Sequence, residues 1–173
     1  QAAEEAIAFE YTQYNAKVGN WADNREDPTN PDEKKENAFM WGWCNGAPGI
    51  ALGRIGTLDV FDNKTVRAQI ETSVNATASH PHLRSDHLCC GNASLGEVLL
   101  SAGENYQYPS WKQAALKLTS TTISRHTSEG VFTPHSVFNE LFNPSLFQGS
   151  SGFGYHLLRL LEPVDLPNIL LLE

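Results

Sequence analysis

The sequence predicts an all-α protein assembled as an array of helix pairs. Three segments read alike, each a glycine turn feeding an apolar helix: Cys44-Asn45-Gly46-Ala47-Pro48-Gly49-Ile50-Ala51-Leu52, then Cys90-Gly91-Asn92-Ala93-Ser94-Leu95-Gly96-Glu97, then Phe147-Gln148-Gly149-Ser150-Ser151-Gly152-Phe153-Gly154-Tyr155-His156. The intervals from Gly46 to Gly91 and from Gly91 to Gly149 leave room for two helices and two connections per unit, the mark of a repeat whose units bury their apolar faces against their neighbours. Alternating apolar and polar runs of the kind strands need are scarce. The composition, 40% hydrophobic and 18% charged, is that of a globular chain with material for one core.

Each element has its own signal. Residues 2–18 place Ala3, Ala6, Ile7, Tyr11, Tyr14 and Val18 at spacings of three and four, with Glu4 and Glu5 in the first turn where they complement the helix dipole, so an amphipathic helix is expected. Residues 20–37 are a charged loop broken by Pro28 and Pro31 and read as solvated surface. A helix should follow Pro48 to about Ile55, and another should span Lys64 to Ser79, stopped by Pro81. Gly91 opens the next. Pro109 opens a helix over 109–126 with Trp111, Ala115, Leu118, Thr122 and Ile123 on one face. Residues 127–147 carry aromatics and prolines without a period and predict a long ordered loop. Gly152 to Leu161 forms the last helix, and Leu166 to Leu172 is an apolar tail compatible with helix or strand.

Charge and composition narrow the function. A formal net charge of −8 disfavours nucleic acid and anionic membrane as main partners and biases toward a modestly basic peptide. There is no apolar run of membrane-spanning length, and Gln1-Ala2-Ala3-Glu4-Glu5 lacks the features of a signal peptide, so a cytoplasmic protein with reduced thiols is expected. On that reading the sequons at Asn63, Asn75 and Asn92 are coincidental.

Cys44, Cys89 and Cys90 are all the cysteines present, and all lie in the glycine turns. Lone cysteines are ordinarily small buried hydrophobes. A disulfide framework fits worse, since the count is odd and adjacent cysteines rarely pair. Three thiols gathered in turns point instead to one metal site, with Zn2+ the natural occupant and a fourth position open for water or substrate. Of the histidines, His87 is best placed beside the ligands, and His87 and Asn45 are the candidate catalytic side chains. His80 and His82 flank Pro81 and read as surface. His156 faces a central cavity or packs in the core, and His126 and His135 carry no specific signal. Trp41, Trp43 and Arg54 near the first cysteine are candidates for lining a peptide channel, although tryptophans in helical proteins are ordinarily structural.

The motifs GNWADNR (19–25), FMWGWCNGAPGIALGRI (39–55), HLCCGN (87–92), LFQGSSGFGYHLLRLLEP (146–163) and LPNILLLE (166–173) resemble, in order and spacing, the C-terminal end of class II lanthipeptide synthetases of the LanM type, in their LanC-like cyclase domain. The resemblance covers nearly the whole chain. It implies an α/α toroid, here an incomplete ring of about three helix pairs, with residues 1–173 forming the C-terminal portion of the domain. It also implies a zinc ion at the mouth, held by Cys44, Cys89 and Cys90 in the manner of a subgroup with three cysteine ligands. The implied activity is lanthionine and methyllanthionine formation on a ribosomally synthesised precursor peptide, by addition of a peptide cysteine to dehydroalanine or dehydrobutyrine.

The chain also departs from the family pattern. Asn45 stands where relatives often have His or Tyr. The segment that carries the usual catalytic His and Asp is expected to lie in a missing N-terminal part of the synthetase, together with the dehydratase domain. Two other classes compete: a non-catalytic peptide-binding or scaffold module with a structural zinc, and a carbohydrate-active enzyme on the same fold, which needs paired carboxylates where the glycine turns offer only Glu97.

Overall fold

The computed structural model describes residues 1–25, 39–130, 142–163 and 165–172. Six helices stand among them: α1 (Ala2–Tyr11), α2 (Ala47–Gly56), α3 (Lys64–Ser79), α4 (Asn92–Asn105), α5 (Pro109–Glu129) and α6 (Ser150–Leu161). Two short antiparallel strands, β1 (Tyr14–Asn15) and β2 (Asn20–Trp21), pair between α1 and α2. The protein is all-α with one small ribbon.

The helices form two layers. Those that follow glycine turns, α2, α4 and α6, lie side by side, with α4 touching both others; α3 packs on α2, α5 packs on α4, and α3 touches α5. This is the helix-pair array that the repeat predicts. Its hub is α4, in which every residue from Asn92 to Gly103 is buried, as a helix enclosed on all sides requires. The core joins Leu52 and Ile55 of α2, Ile70 and Val74 of α3, Val98 and Leu99 of α4, Trp111 and Ala115 of α5, and Phe153 of α6.

The sequence placed α3 at its observed bounds, and α2, α4, α5 and α6 begin within a turn of their expected starts. Several expectations need correction. The helix expected over residues 2–18 ends at Tyr11, and α1 buries none of its residues. Local hydrogen bonds outcompete its continuation: Thr12 Oγ1 donates to the Phe9 carbonyl, and Asn15 Oδ1 accepts from the amides of Lys17 and Val18, turning the chain toward Gly19 at φ +70° and into β2. The loop expected from residue 127 begins later, because α5 runs on to Glu129 and stops at Gly130 in the left-handed conformation. Most of that loop, with His135, and much of the 20–37 loop lie outside the described residues. On α5, Trp111, Ala115 and Thr122 are buried as expected, with Thr119 in addition, whereas Ile123 is 42% exposed. The tail at 166–172 is neither helix nor strand. Asn168 Nδ2 donates to Ser101 Oγ (2.6 Å), and the Leu170 carbonyl accepts the Trp43 indole N–H (2.9 Å).

All three sequons are structural. Asn63 caps α3 by accepting from the Val66 amide, Asn75 accepts from the Trp111 indole, and Asn92 is buried and hydrogen-bonded to Leu83, Ser85 and Asp86.

The first glycine turn is fixed from a distance. Gly46, the N-cap of α2, has φ +97°, a value an L side chain rarely adopts, and a Cβ there would lie 2.0 Å from the Met40 carbonyl oxygen. Glycine offers no capping side chain, and Asn20 supplies one: its Oδ1 accepts the Ala47 amide (2.7 Å) and the Trp21 amide (2.7 Å), and its Nδ2 donates to the Met40 carbonyl (2.8 Å). Asn20 is fully buried. Asn20→Ala would strand polar groups that each cost about 1–3 kcal/mol when buried unpaired. We therefore expect this variant to lose about 3 kcal/mol of unfolding free energy in urea titration, whereas Asn15→Ala, at an exposed turn, should lose well under half of that.

Candidate metal centre

The three cysteines come from two turns that main-chain hydrogen bonds hold together. Trp43 N–H donates to the Cys89 carbonyl (2.9 Å), and Cys89 N–H donates to the Phe147 carbonyl (2.9 Å), so the three glycine turns stack at one end of the helix array. Trp43 N–H also lies 2.7 Å from Ser94 Oγ, and the Trp43 ring stacks on Phe147 with centroids 5.3 Å apart. The close approach depends on Gly42, where a Cβ would meet Cys90 Cα at 2.8 Å and Cys90 Cβ at 2.9 Å.

This stacking brings the Sγ atoms of Cys44, Cys89 and Cys90 within 4.8 Å of one another, a grouping that could hold a metal ion. Cys44 Sγ lies 2.8 Å from Cys90 Sγ, and Cys90 Sγ lies 3.3 Å from Cys89 Sγ. These two separations are shorter than the roughly 3.5–4 Å expected of thiolates bonded at about 2.3 Å to one tetrahedral zinc. The donor set itself fits. Three soft sulfurs suit zinc, and Cys44 is exposed while Cys89 and Cys90 are half-buried, so the open fourth position would face solvent.

His87 is 3% exposed, and its Nδ1 accepts the Cys90 amide N–H at 3.1 Å. Accepting there leaves the proton of the neutral ring on Nε2. The side chain thus fixes the main chain that carries a cysteine. Asn45 is half-buried, and its carbonyl accepts the Gly42 amide (3.1 Å). Next to Cys44 opens a cavity of about 320 Å³ whose walls include Glu10, Trp43, Asn45 and Arg54. Arg54 pairs with Glu10 across it and donates to Gln69 (3.1 Å).

The remaining histidines lie elsewhere. His80 is half-buried beneath Trp41, with ring centroids 4.2 Å apart, and burial lowers its pKa. His82 is exposed and contacts Thr122 Oγ1 (3.0 Å). His156 is fully buried in the core, its Nδ1 2.7 Å from Glu97 Oε1 and its Nε2 2.8 Å from Thr119 Oγ1. His126 contacts Asp86 (2.8 Å), a buried carboxylate that also holds Arg125 (2.5 Å) and Asn92 (2.6 Å) and so braces the loop leading to Cys89. Asp23, Arg25, Ser94 and Phe147 were not singled out in the sequence as parts of this site. Asp23 and Arg25 belong to the GNWADNR motif, whose charges read as solvated surface.

Burial raises the pKa of both Cys89 and Cys90, and the neighbouring cysteines push that of Cys90 up further. Binding a metal requires these thiols to release their protons, so protons compete with the ion and affinity rises with pH. Zinc affinity measured by chelator competition should increase from pH 6 to pH 8, by up to about tenfold per pH unit for each proton displaced. Gly42→Ala should weaken zinc binding by about 10- to 100-fold while helical circular dichroism stays unchanged, since it spreads the two cysteine turns apart rather than breaking a helix.

A family model described as Lanthionine synthetase C-like protein matches residues 1–171 of the chain. A search of curated proteins returned no match.

Proposed function

The chain belongs to the lanthionine synthetase C-like family, and from that premise we propose that it is a zinc-dependent cyclase domain of a LanM-type lanthipeptide synthetase. It forms lanthionine and methyllanthionine thioethers on a ribosomally synthesised precursor peptide. The observation that carries the reading is the gathering of Cys44, Cys89 and Cys90 at one end of the array, with an exposed member beside an open cavity.

Zinc held by the three cysteines would supply a Lewis acid that keeps a peptide thiol as its thiolate at neutral pH. The protein's own residues do the placing. Trp43, Asn45 and Arg54 line the approach to Cys44 and position the peptide there. His87 orients Cys90 through its main-chain amide. The peptide sulfur adds to the β-carbon of dehydroalanine or dehydrobutyrine, the C=C electron pair moves to the α-carbon as an enolate, and a proton delivered to that carbon completes the thioether. We assign that proton to no described side chain. The upstream part of the synthetase, proposed to complete the ring, is where its donor is sought.

The structural-zinc alternative fits less well. The helix array is held by an apolar core that contains none of the three cysteines, and the most exposed ligand would be the one a folding metal most needs to shield. A glycosidase reading fails on Glu97, which is 1% exposed and bound by His156 and Arg159 (2.8 Å), out of reach of any substrate. The test is Cys44→Ala. We expect it to lose stoichiometric zinc by elemental analysis and thioether formation on a dehydrated peptide by alkylation mass spectrometry, while its helical circular dichroism matches the parent. Collapse of the helical signal on metal removal would favour structural zinc instead.

A further inference from the structure

We infer that Gly53 is a specificity-determining residue of the proposed cyclase site: having no side chain, it keeps open the part of the cavity beside Cys44 that takes the residue next to the peptide's reacting cysteine. The inference rests on the cyclase reading above. Gly53 lies in α2 and, with Cys44, Gly46 and Gly49, lines the cavity of about 320 Å³. Ligand pockets run from roughly 300 to 1,000 Å³. A cavity at the lower end of that range has room for the immediate neighbours of one cysteine, not for a folded segment.

The fold itself requires two of these three glycines. Gly46 has φ +97°, and a Cβ on Gly49 would lie 2.1 Å from the Trp43 carbonyl oxygen. Gly53 differs from both: it is exposed within the helix, and a Cβ there would meet nothing within 4 Å. Glycine inside a helix is less favourable than alanine, because it loses more backbone freedom on folding. Neither packing nor backbone conformation therefore calls for glycine at position 53, and helix stability opposes it.

What glycine supplies there is room on the side of Cys44. In an α-helix each Cα–Cβ bond tilts toward the N-terminus, so a side chain covers the turn before its own Cα. A side chain at position 53 would lean over Gly49 and Ile50, toward the end of α2 that Cys44 precedes, and would fill the cavity that all of them line. Arg54, the next residue, is fixed in the cavity wall by its pairing with Glu10 and its hydrogen bond to Gln69 (3.1 Å). Cys44 is exposed, so a peptide cysteine that approaches the three-cysteine centre from this side brings its flanking residues over Gly53.

The test measures, by isothermal titration calorimetry, the binding of 2-mercaptoethanol, acetyl-Gly-Cys-Gly-amide and acetyl-Leu-Cys-Leu-amide to the zinc-loaded chain, for the parent, Gly53→Ala and Gly53→Leu. Gly53→Ala should raise Tm by about 2–4 °C, as relief of a helix-interior glycine implies. Gly53→Leu should keep its zinc by elemental analysis and bind 2-mercaptoethanol as the parent does. It should bind the leucine-flanked peptide at least about tenfold more weakly, the scale on which a pocket rejects added methylenes, and the glycine-flanked peptide should lose less. Gly53→Ala should shift the two peptides in the same direction by a smaller factor. Equal binding of the leucine-flanked peptide by parent and Gly53→Leu overturns the inference. So does an equal loss for both peptides, with or without 2-mercaptoethanol, or a fall in Tm for Gly53→Ala, which would show that the fold itself needs glycine there. A parent that binds 2-mercaptoethanol but neither peptide also overturns it and leaves the metal reading standing, whereas a parent that binds no zinc, or no thiol once zinc is bound, overturns the cyclase reading and this inference with it.

Discussion

Two main-chain hydrogen bonds, from Trp43 to Cys89 and from Cys89 to Phe147, hold together the turns that carry the three cysteines. They join three turns that are far apart in the chain and put their amides and carbonyls in one ladder at the ends of α2, α4 and α6. Everything at the site follows from that stacking. Cys44 meets Cys90 because Gly42 has no side chain to keep the turns apart, and Ser94 and the Trp43–Phe147 ring pair lock the same contact from its flanks. The stacking of the turns thus gathers the three thiols at one end of the array.

Buried charge reinforces the ladder from behind. Asp86 accepts from Arg125 and Asn92 and contacts His126, tying α5 to the loop that leads into Cys89. Glu97, in the hub helix, binds His156 and Arg159 of α6, and Arg159 reaches the Leu166 carbonyl of the tail. Carboxylates this deep are tolerated only when paired, and removing one partner leaves an uncompensated charge that is strongly destabilising. Each network therefore fixes one glycine turn relative to the hub: Asp86 the second, Glu97 the third. The first turn has Asn20 in the same role, through the capping bonds to Ala47 and Met40.

The helix array was legible because its signals are local and repeated. Glycine followed by an apolar helix recurs three times, Pro81 stops α3, and Pro109 opens α5. The cysteine triad was legible for the same reason, since each member sits in one of those turns. The error at α1 is equally physical. Its apolar spacing continues past Tyr11, but the Asn15 turn and Gly19 are satisfied by side-chain hydrogen bonds that a periodicity does not register. Asp23 and Arg25 escaped because charges in a proline-broken loop read as solvated, and only the folded chain shows them pairing with each other, with Arg25 against Met40. The capping by Asn20 across the chain was hidden likewise, as a contact between distant residues has no signature in spacing.

On the proposed function, the three turn cysteines form one metal centre with a position left for the peptide sulfur. X-ray absorption at the zinc edge of the loaded protein tests it most directly. Three sulfur ligands at about 2.3 Å with one lighter atom are expected, changing to four sulfurs when a cysteine-containing precursor peptide is added. Two or fewer protein sulfurs around the zinc, or a four-sulfur shell that forms without peptide, would contradict it.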